Sequence, residues 1–106
     1  MKYVIDIDGV LCDTTYQFTD ENWYYIKSKP KQVVIDKVNS LYDSGHRIVL
    51  FTARGSKIKR DDWKELTIQD LNEWDVRYHE LLFGKPWADY YVDDKNMSVE
   101  RFLDMG

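Results

Sequence analysis

The chain has 106 residues, the size of one small domain. Fifteen basic residues against nineteen acidic ones give a formal net charge of −4, which argues against a nucleic-acid partner. No apolar run approaches the roughly 20 residues that cross a bilayer, and a lone cysteine, Cys12, excludes an internal disulfide. No signal-peptide pattern precedes the first strand. We therefore expect a single domain over residues 1–106, located in the cytoplasm and without a membrane partner.

The first predicted element is a short buried strand at residues 3–7, which is apolar and rich in branched side chains. Asp6 lies at its C-terminal end, and Gly9 allows a sharp turn after it. Asp6 and Asp8 have the same parity, so both can face one site. Two adjacent carboxylates are costly without a compensating cation. The alternative is that both aspartates simply belong to a polar turn.

The next stretch, residues 14–29, carries the aromatic residues Trp23, Tyr24 and Tyr25. It is too short to fold as a separate cap domain. We expect either a flap that closes over the site or aromatic side chains that complete the small core. A helix over residues 31–44 follows, with Val34 and Val38 on its inward stripe and Gly45 as its stop.

The second half of the chain alternates between strands and helices. Apolar runs at residues 48–51, 81–83 and 90–92 predict strands, and polar residues follow each run. A helix over residues 61–74, with Ile68 and Leu71 facing inward, lies between the first two runs, and a short helix follows Ser98. This order predicts a parallel α/β sheet in three layers. The C-terminal ends of its strands would bring the polar residues to one edge.

Four motifs in this order, DIDGVL, FTARG, GKPW and DYYVDDK, resemble the haloacid dehalogenase (HAD) superfamily of phosphatases. The similarity runs from residue 2 to about residue 102 and is strongest to the small capsule- and polysaccharide-biosynthesis phosphatases. The resemblance implies a small, three-layer, Rossmann-like fold. It also implies a capless protein, because neither usual cap position has room for a domain.

The resemblance also assigns catalytic roles. Asp6 is expected to be the nucleophile that forms an aspartyl-phosphate, and Asp8 the general acid and base. Thr52 would hydrogen-bond a phosphoryl oxygen, and Lys85 would neutralise its charge while fixing Asp6. The backbone at Ala53 could add a further donor to the phosphate.

Other site residues are expected around this centre. The metal ligands would be Asp6, the carbonyl of Asp8, and Asp93, with Asp94 binding directly or through water. An all-oxygen set of this kind suits Mg²⁺. Further contacts to the substrate are expected from Arg54, which could instead pair with a surface carboxylate, and from Trp23 in the flap.

The expected function is Mg²⁺-dependent hydrolysis of a sugar phosphate or related small metabolite, in a capsule or surface-polysaccharide pathway. The alternatives are a nucleotide or polynucleotide phosphatase, and a phosphate-binding fold without turnover. A second subunit that covers the open cleft is a further open alternative. Cys12 is expected to be a packed residue, because it has no evident histidine partner and acidic neighbours disfavour its thiolate.

Overall fold

The computed structural model describes residues 1–19, 22–54 and 63–105, with the backbone alone over 15–19 and 22–27. Strands and helices alternate over most of this length, after an early β-hairpin. In chain order the elements are β1 (Lys2–Asp6), β2 (Cys12–Thr19), β3 (Asn22–Pro30), α1 (Gln32–Asp43), β4 (Arg47–Thr52), α2 (Trp63–Glu73), β5 (Glu80–Phe83) and α3 (Val99–Asp104).

The main sheet is parallel and has the strand order β1-β4-β5. Its register places Ile5 beside Leu50, and Leu50 beside Leu81. Because side chains alternate along a strand, these three residues share one face of the sheet. The C-terminal ends of all three strands lie at the same edge. The strands predicted at residues 3–7, 48–51 and 81–83 are confirmed.

The hydrophobic core lies on that face. Ile48 and Leu50 of the central strand are fully buried, and side chains from all three helices complete the same cluster. The helix residues in it are Val34, Ile35 and Val38 of α1, Leu71 of α2, and Phe102 of α3. Full burial of one such side chain contributes roughly 1.5–3 kcal/mol, so this cluster is the main stabilising feature of the fold.

The opposite face of the sheet is only partly covered within the described residues. Val4 of β1 is 59% exposed and Leu82 of β5 is 46% exposed, while Val49 between them is buried. The expected three layers are therefore seen as two, a sheet and one layer of helices. The reason is topological: β4 and β5 are added in one direction from β1, and right-handed crossovers in one direction place their helices on one face.

The stretch between β1 and α1 forms a separate antiparallel hairpin, β2–β3, with a bulge between Thr15 and Tyr16. Thr14 lies opposite Ser28 in this hairpin. The side chains of Trp23, Tyr24 and Tyr25 lie outside what the structure describes. The predicted flap is therefore a hairpin in its backbone, and the position of its aromatic rings stays a prediction.

Over the described residues the helices agree with the sequence in their extent, and α2 differs in its rotation. Residues 61 and 62, where the second helix was predicted to begin, lie outside what the structure describes. Ser98 caps α3 by accepting a hydrogen bond from the backbone N–H of Arg101, as predicted. In α2, however, Thr67 is fully buried, whereas Ile68 is 41% exposed. The prediction that Ile68 faces inward was wrong, because α2 turns Thr67 and Asp70 toward the buried Arg54.

The segment from Gly84 to Ser98 contains no strand, so the strand predicted at residues 90–92 was wrong. Val92 is 98% exposed and Tyr90 is 86% exposed. The segment is held locally instead, since the hydroxyl of Tyr91 donates to the carbonyl of Pro86 at 2.6 Å. An apolar run of three residues forms a strand only where another strand or a helix covers it, and neither does so here.

None of the described helices is both long enough and apolar enough to cross a membrane.

Candidate active site

Three parallel strands deliver polar groups to one edge of the sheet. Asp6 is the last residue of β1, Thr52 is the last residue of β4, and Lys85 follows β5 by two residues. Gly84 has a φ of +90°, a conformation that glycine adopts without strain, and it turns the chain so that Lys85 points back over the edge. The backbone N–H of Lys85 donates to the carbonyl of Thr52 at 3.2 Å, which fixes this turn against β4.

Asp6 is a half-buried carboxylate with one cationic neighbour. Its Oδ2 accepts a hydrogen bond from Lys85 Nζ at 3.2 Å, and its Oδ1 accepts the backbone N–H of Ile7 at 2.8 Å. Burial raises the pKa of Asp6 above its usual range, and the charge of Lys85 only partly offsets this effect. The negative charge of Asp6 is therefore incompletely compensated within the described residues.

Lys85 is held by an aromatic ring as well as by Asp6. Its Nζ lies 4.0 Å from the centroid of the Tyr91 ring, a cation–π distance. The Tyr91 hydroxyl in turn is tied to Pro86. The Lys85 side chain, which is 17% exposed, is thus held by the Asp6 carboxylate and the Tyr91 ring.

Asp8 is presented by a tight turn after β1. The carbonyl of Ile7 accepts the N–H of Leu11 at 2.9 Å, and Gly9, with a φ of +86°, lets the chain reverse. The N–H of Gly9 donates to the carbonyl of Cys12 at 2.8 Å and closes the turn onto the start of the hairpin. Asp8 therefore stands between the sheet edge and the root of β2.

Both oxygens of the Asp8 carboxylate are engaged by donors. The Nε of Arg54 donates to Oδ2 at 3.0 Å, and the Nη2 of Arg54 donates to Oδ1 at 3.0 Å. The hydroxyl of Thr14 also donates to Oδ1. This is the two-pronged geometry in which guanidinium binds an ionised carboxylate.

Arg54 does not face solvent, because only 1% of its side chain is exposed. It bridges two carboxylates, since its Nη1 also donates to Asp70 of α2 at 3.2 Å. It further donates to the hydroxyls of Ser28 at 3.2 Å and Thr67 at 3.4 Å. Arg54 thus pairs with two carboxylates, Asp8 and Asp70, whose side chains are 19% and 24% exposed, rather than with a carboxylate on the surface. A contact between Arg54 and the substrate stays a prediction.

Thr52 is fully buried, and its hydroxyl accepts the backbone N–H of Arg54 at 3.0 Å. This hydrogen bond shapes the turn after β4 and leaves Ala53 partly exposed beside it. The hydroxyl proton of Thr52 remains free to donate. Whether Thr52 and Ala53 contact phosphate stays a prediction.

The expected metal ligands lie in two regions, Asp6 and Asp8 at the end of β1 and Asp93 and Asp94 in the segment before α3. Asp93 is exposed, and its carboxylate accepts the N–H of Lys95 at 2.8 Å, which lowers the pKa of Asp93. Across residues 1–19, 22–54 and 63–105, no three or more histidine, cysteine, aspartate or glutamate residues are grouped closely enough to hold a metal ion. The residues present therefore fit Mg²⁺ only in part, through the under-compensated carboxylate of Asp6.

Five residues that contact Asp8, Arg54 or Lys85 were not predicted as site residues: Thr14, Ser28, Thr67, Asp70 and Tyr91. A signal for Asp70 existed, because Thr67 and Asp70 are polar residues on the otherwise apolar inward side of α2. Thr14 and Ser28 are brought together only by the register of the hairpin, which a single sequence does not reveal.

Cys12 lies beneath this network and is fully buried. Burial raises the pKa of its thiol, and the charge of Asp8 acts in the same direction. The geometry thus agrees with a packed cysteine.

Comparisons with known proteins show one clear structural similarity. A crystal structure of a structural-genomics target from Vibrio cholerae superimposes with a TM-score of 0.74, at 28% sequence identity. The match covers 99% of this chain and 89% of that one, so the two share their fold over nearly the whole length. No protein-family model matches the sequence, and neither does any curated protein.

Proposed function

We propose that this protein is a phosphomonoester hydrolase of the HAD superfamily that acts through an aspartyl-phosphate on Asp6. The observation that carries the proposal is the meeting of Asp6 with Lys85 at 3.2 Å, at an edge where a second carboxylate, Asp8, is also held. A nucleophile, a cation beside it and a separate proton-transfer group are the parts that phosphoryl transfer needs. The resemblance of four motifs to that superfamily supports the same assignment.

In the proposed reaction an oxygen of Asp6 attacks the phosphorus, and the bond from phosphorus to the ester oxygen breaks. A proton from the Asp8 carboxyl goes to the leaving oxygen, which departs as an alcohol. Water then attacks the phosphorus, its proton goes to the Asp8 carboxylate, and the bond to Asp6 breaks to release phosphate. Lys85 offsets the negative charge that gathers on the phosphoryl oxygens and Asp6.

Mg²⁺ dependence is part of the proposal. Its support is the buried Asp6 carboxylate, whose charge Lys85 alone does not balance. A bound Mg²⁺ would reduce the repulsion between the phosphate dianion and this carboxylate. The chain offers the Asp6 carboxylate and the Asp8 carbonyl, while Asp93 and Asp94 remain candidate ligands in the exposed segment that precedes α3.

The proposed substrate is a sugar phosphate or a similarly small metabolite. A small substrate suits a chain with net charge −4, which would repel a polynucleotide. The β2–β3 hairpin, whose root adjoins Asp8 through Thr14, is proposed as the flap that contacts the leaving group, with Trp23 as one contact. A capsule or surface-polysaccharide pathway is the proposed setting, and it rests on the motif resemblance alone.

The test is a phosphate-release panel of sugar phosphates, nucleotides and a 3′-phosphorylated oligonucleotide, each with Mg²⁺ and with excess EDTA. We expect release from the small esters, its loss in EDTA and its return with Mg²⁺. Asp6→Asn should reduce release to no more than a few per cent. Asp43→Asn is the matched control, because Asp43 is an exposed aspartate that binds Arg77 on the surface.

Three outcomes would change this assignment. Full activity in EDTA would remove the metal. Preference for the oligonucleotide would make the protein a polynucleotide phosphatase. No release from any ester by folded protein would leave a phosphate-binding fold without turnover and would overturn the proposal.

A further inference from the structure

Arg54 lies at the centre of a buried polar network that connects three other parts of the fold. The network joins the turn after β4 to α2 through Asp70, to the turn after β1 through Asp8, and to the hairpin through Ser28. A buried guanidinium is costly unless its donors are satisfied, and here they meet two carboxylates and two hydroxyls. This free-energy cost of burying Arg54 indicates that the network has a role besides packing.

We propose that Arg54 is a positioning residue that holds the Asp8 carboxylate in place for proton transfer, with Asp70 anchoring Arg54 from behind. The inference rests on the proposed function, because it needs Asp8 to be the proton-transfer group. Arg54 would act on the reaction through its hydrogen bonds to both oxygens of Asp8.

The geometry points to one stage of the reaction. Both Asp8 oxygens accept hydrogen bonds, from Arg54 on each and from Thr14 on Oδ1, which is the arrangement of an ionised carboxylate. Asp8 is ionised after it has given its proton to the leaving alcohol, when it must next take a proton from the attacking water. The network therefore fits the second half of the reaction, in which the aspartyl-phosphate is hydrolysed.

The β2–β3 hairpin also contributes to the hydrogen bonds that hold Asp8. Thr14 and Ser28 lie opposite each other and their hydroxyl oxygens are 3.1 Å apart, with one bound to Asp8 and the other to Arg54. Through these hydrogen bonds, Thr14 and Ser28 fix the base of the hairpin to Asp8. A substrate that shifts the hairpin would thus act on Asp8 directly.

The test uses p-nitrophenyl phosphate, whose leaving group departs without protonation, so that only the second half of the reaction needs Asp8. We expect Arg54→Lys to keep a fast first release of nitrophenol, close to one equivalent per enzyme. Steady-state turnover should then fall roughly 10- to 100-fold, since a misplaced catalytic group commonly costs that much. Acid-quenched samples of the variant should contain more aspartyl-phosphate than those of the unmodified protein.

Two further variants keep the test decisive. Asp70→Asn leaves Arg54 and Asp8 in place but weakens the anchor, and it should give the same burst with a smaller loss, roughly two- to tenfold. If Arg54→Lys fails to fold, Asp70→Asn still tests the proposal. The matched control is Arg77→Lys, because Arg77 grips Asp43 in the same two-pronged way at 3.0 and 2.7 Å, on the surface. Its kinetics should not change.

The outcomes separate the two claims. If the unmodified protein turns over but folded Arg54→Lys and Asp70→Asn show no burst, or lose burst and steady-state rate equally, the positioning role is wrong and the proposed function stands. If the unmodified protein releases no phosphate from any ester, the proposed function falls and this inference falls with it.

Discussion

Among single residues, Asp6 is the one whose ionisation most clearly affects the stability of the fold. Burial raises its pKa above the ordinary value of 3.8, although Lys85 lies beside it. A carboxyl whose pKa is raised by folding stabilises the folded state while it is protonated. That contribution is complete below pH 3.8 and is lost as the pH rises through the folded pKa. At neutral pH the ionised Asp6 therefore lowers the free energy of unfolding of the metal-free protein.

We expect Asp6→Asn to be more stable than the unmodified protein at neutral pH without Mg²⁺, because the amide carries no charge to bury. The advantage should shrink as the pH is lowered toward 3.8. Urea unfolding across this range measures it, with Asp43→Asn as an exposed control. A variant that is less stable at neutral pH would show that pairing with Lys85 outweighs burial.

Cys12 gives a second prediction at this scale. Its thiol is fully buried and its pKa is raised, so it should not react with a thiol reagent in the native protein. It should react with one equivalent after unfolding in denaturant. Titration with a chromogenic disulfide reagent measures both states. Rapid labelling of the native protein would contradict the position of Cys12 beneath the site.

At the scale of elements, the sequence predicted what depends on local periodicity and missed what depends on pairing. The extent of α1, the Ser98 cap of α3 and the strands β1, β4 and β5 follow from runs and stops in the chain. The rotation of α2 did not follow, because the buried charge of Arg54 attracts Asp70 and Thr67 inward and leaves Ile68 exposed. A hydrophobic pattern alone cannot register such a polar attraction.

The segment before α3 also departs from the sequence prediction, because its contacts are local and do not pair it with the sheet. The apolar run at residues 90–92 predicts a strand, but a strand needs a partner, and Tyr91 binds Pro86 and Lys85 instead. Asp93 accepts the N–H of Lys95 in an exposed turn, and its expected place at the site stays a prediction. The strands that end at Asp6 and Thr52 could be predicted from their apolar runs, whereas the path of this segment could not, because it depends on contacts with Lys85 and Pro86.

This difference predicts two very different substitution costs. Leu50→Ala removes a fully buried side chain of the central strand and should lower the free energy of unfolding by about 2–5 kcal/mol. Val92→Ala changes a side chain that is 98% exposed and should change it by no more than about 0.5 kcal/mol. Denaturant unfolding measures both. A large cost at Val92 would mean that residues 90–92 pack against the fold in solution.

At the scale of the whole molecule, a small sheet with helices on one face gathers its polar groups at one edge. The fold is shared with the Vibrio cholerae protein over nearly the full chain. The edge carries two carboxylates with different surroundings: Asp6 is paired with Lys85, and Asp8 is bound on both oxygens by the buried Arg54. This asymmetry would let one carboxylate act as nucleophile while the other transfers protons.

The central claim is that Asp6 becomes phosphorylated during turnover. The most direct measurement is mass spectrometry of peptides from protein mixed with p-nitrophenyl phosphate and Mg²⁺ and quenched in acid. Asp8→Asn slows hydrolysis of the intermediate, and this ester still forms it because its leaving group needs no proton from Asp8. The account predicts one phosphoryl group on the peptide that contains Asp6, and none in the Asp6→Asn protein. Turnover with the phosphoryl group on another residue, or with none trapped on Asp6 in any variant, would contradict it.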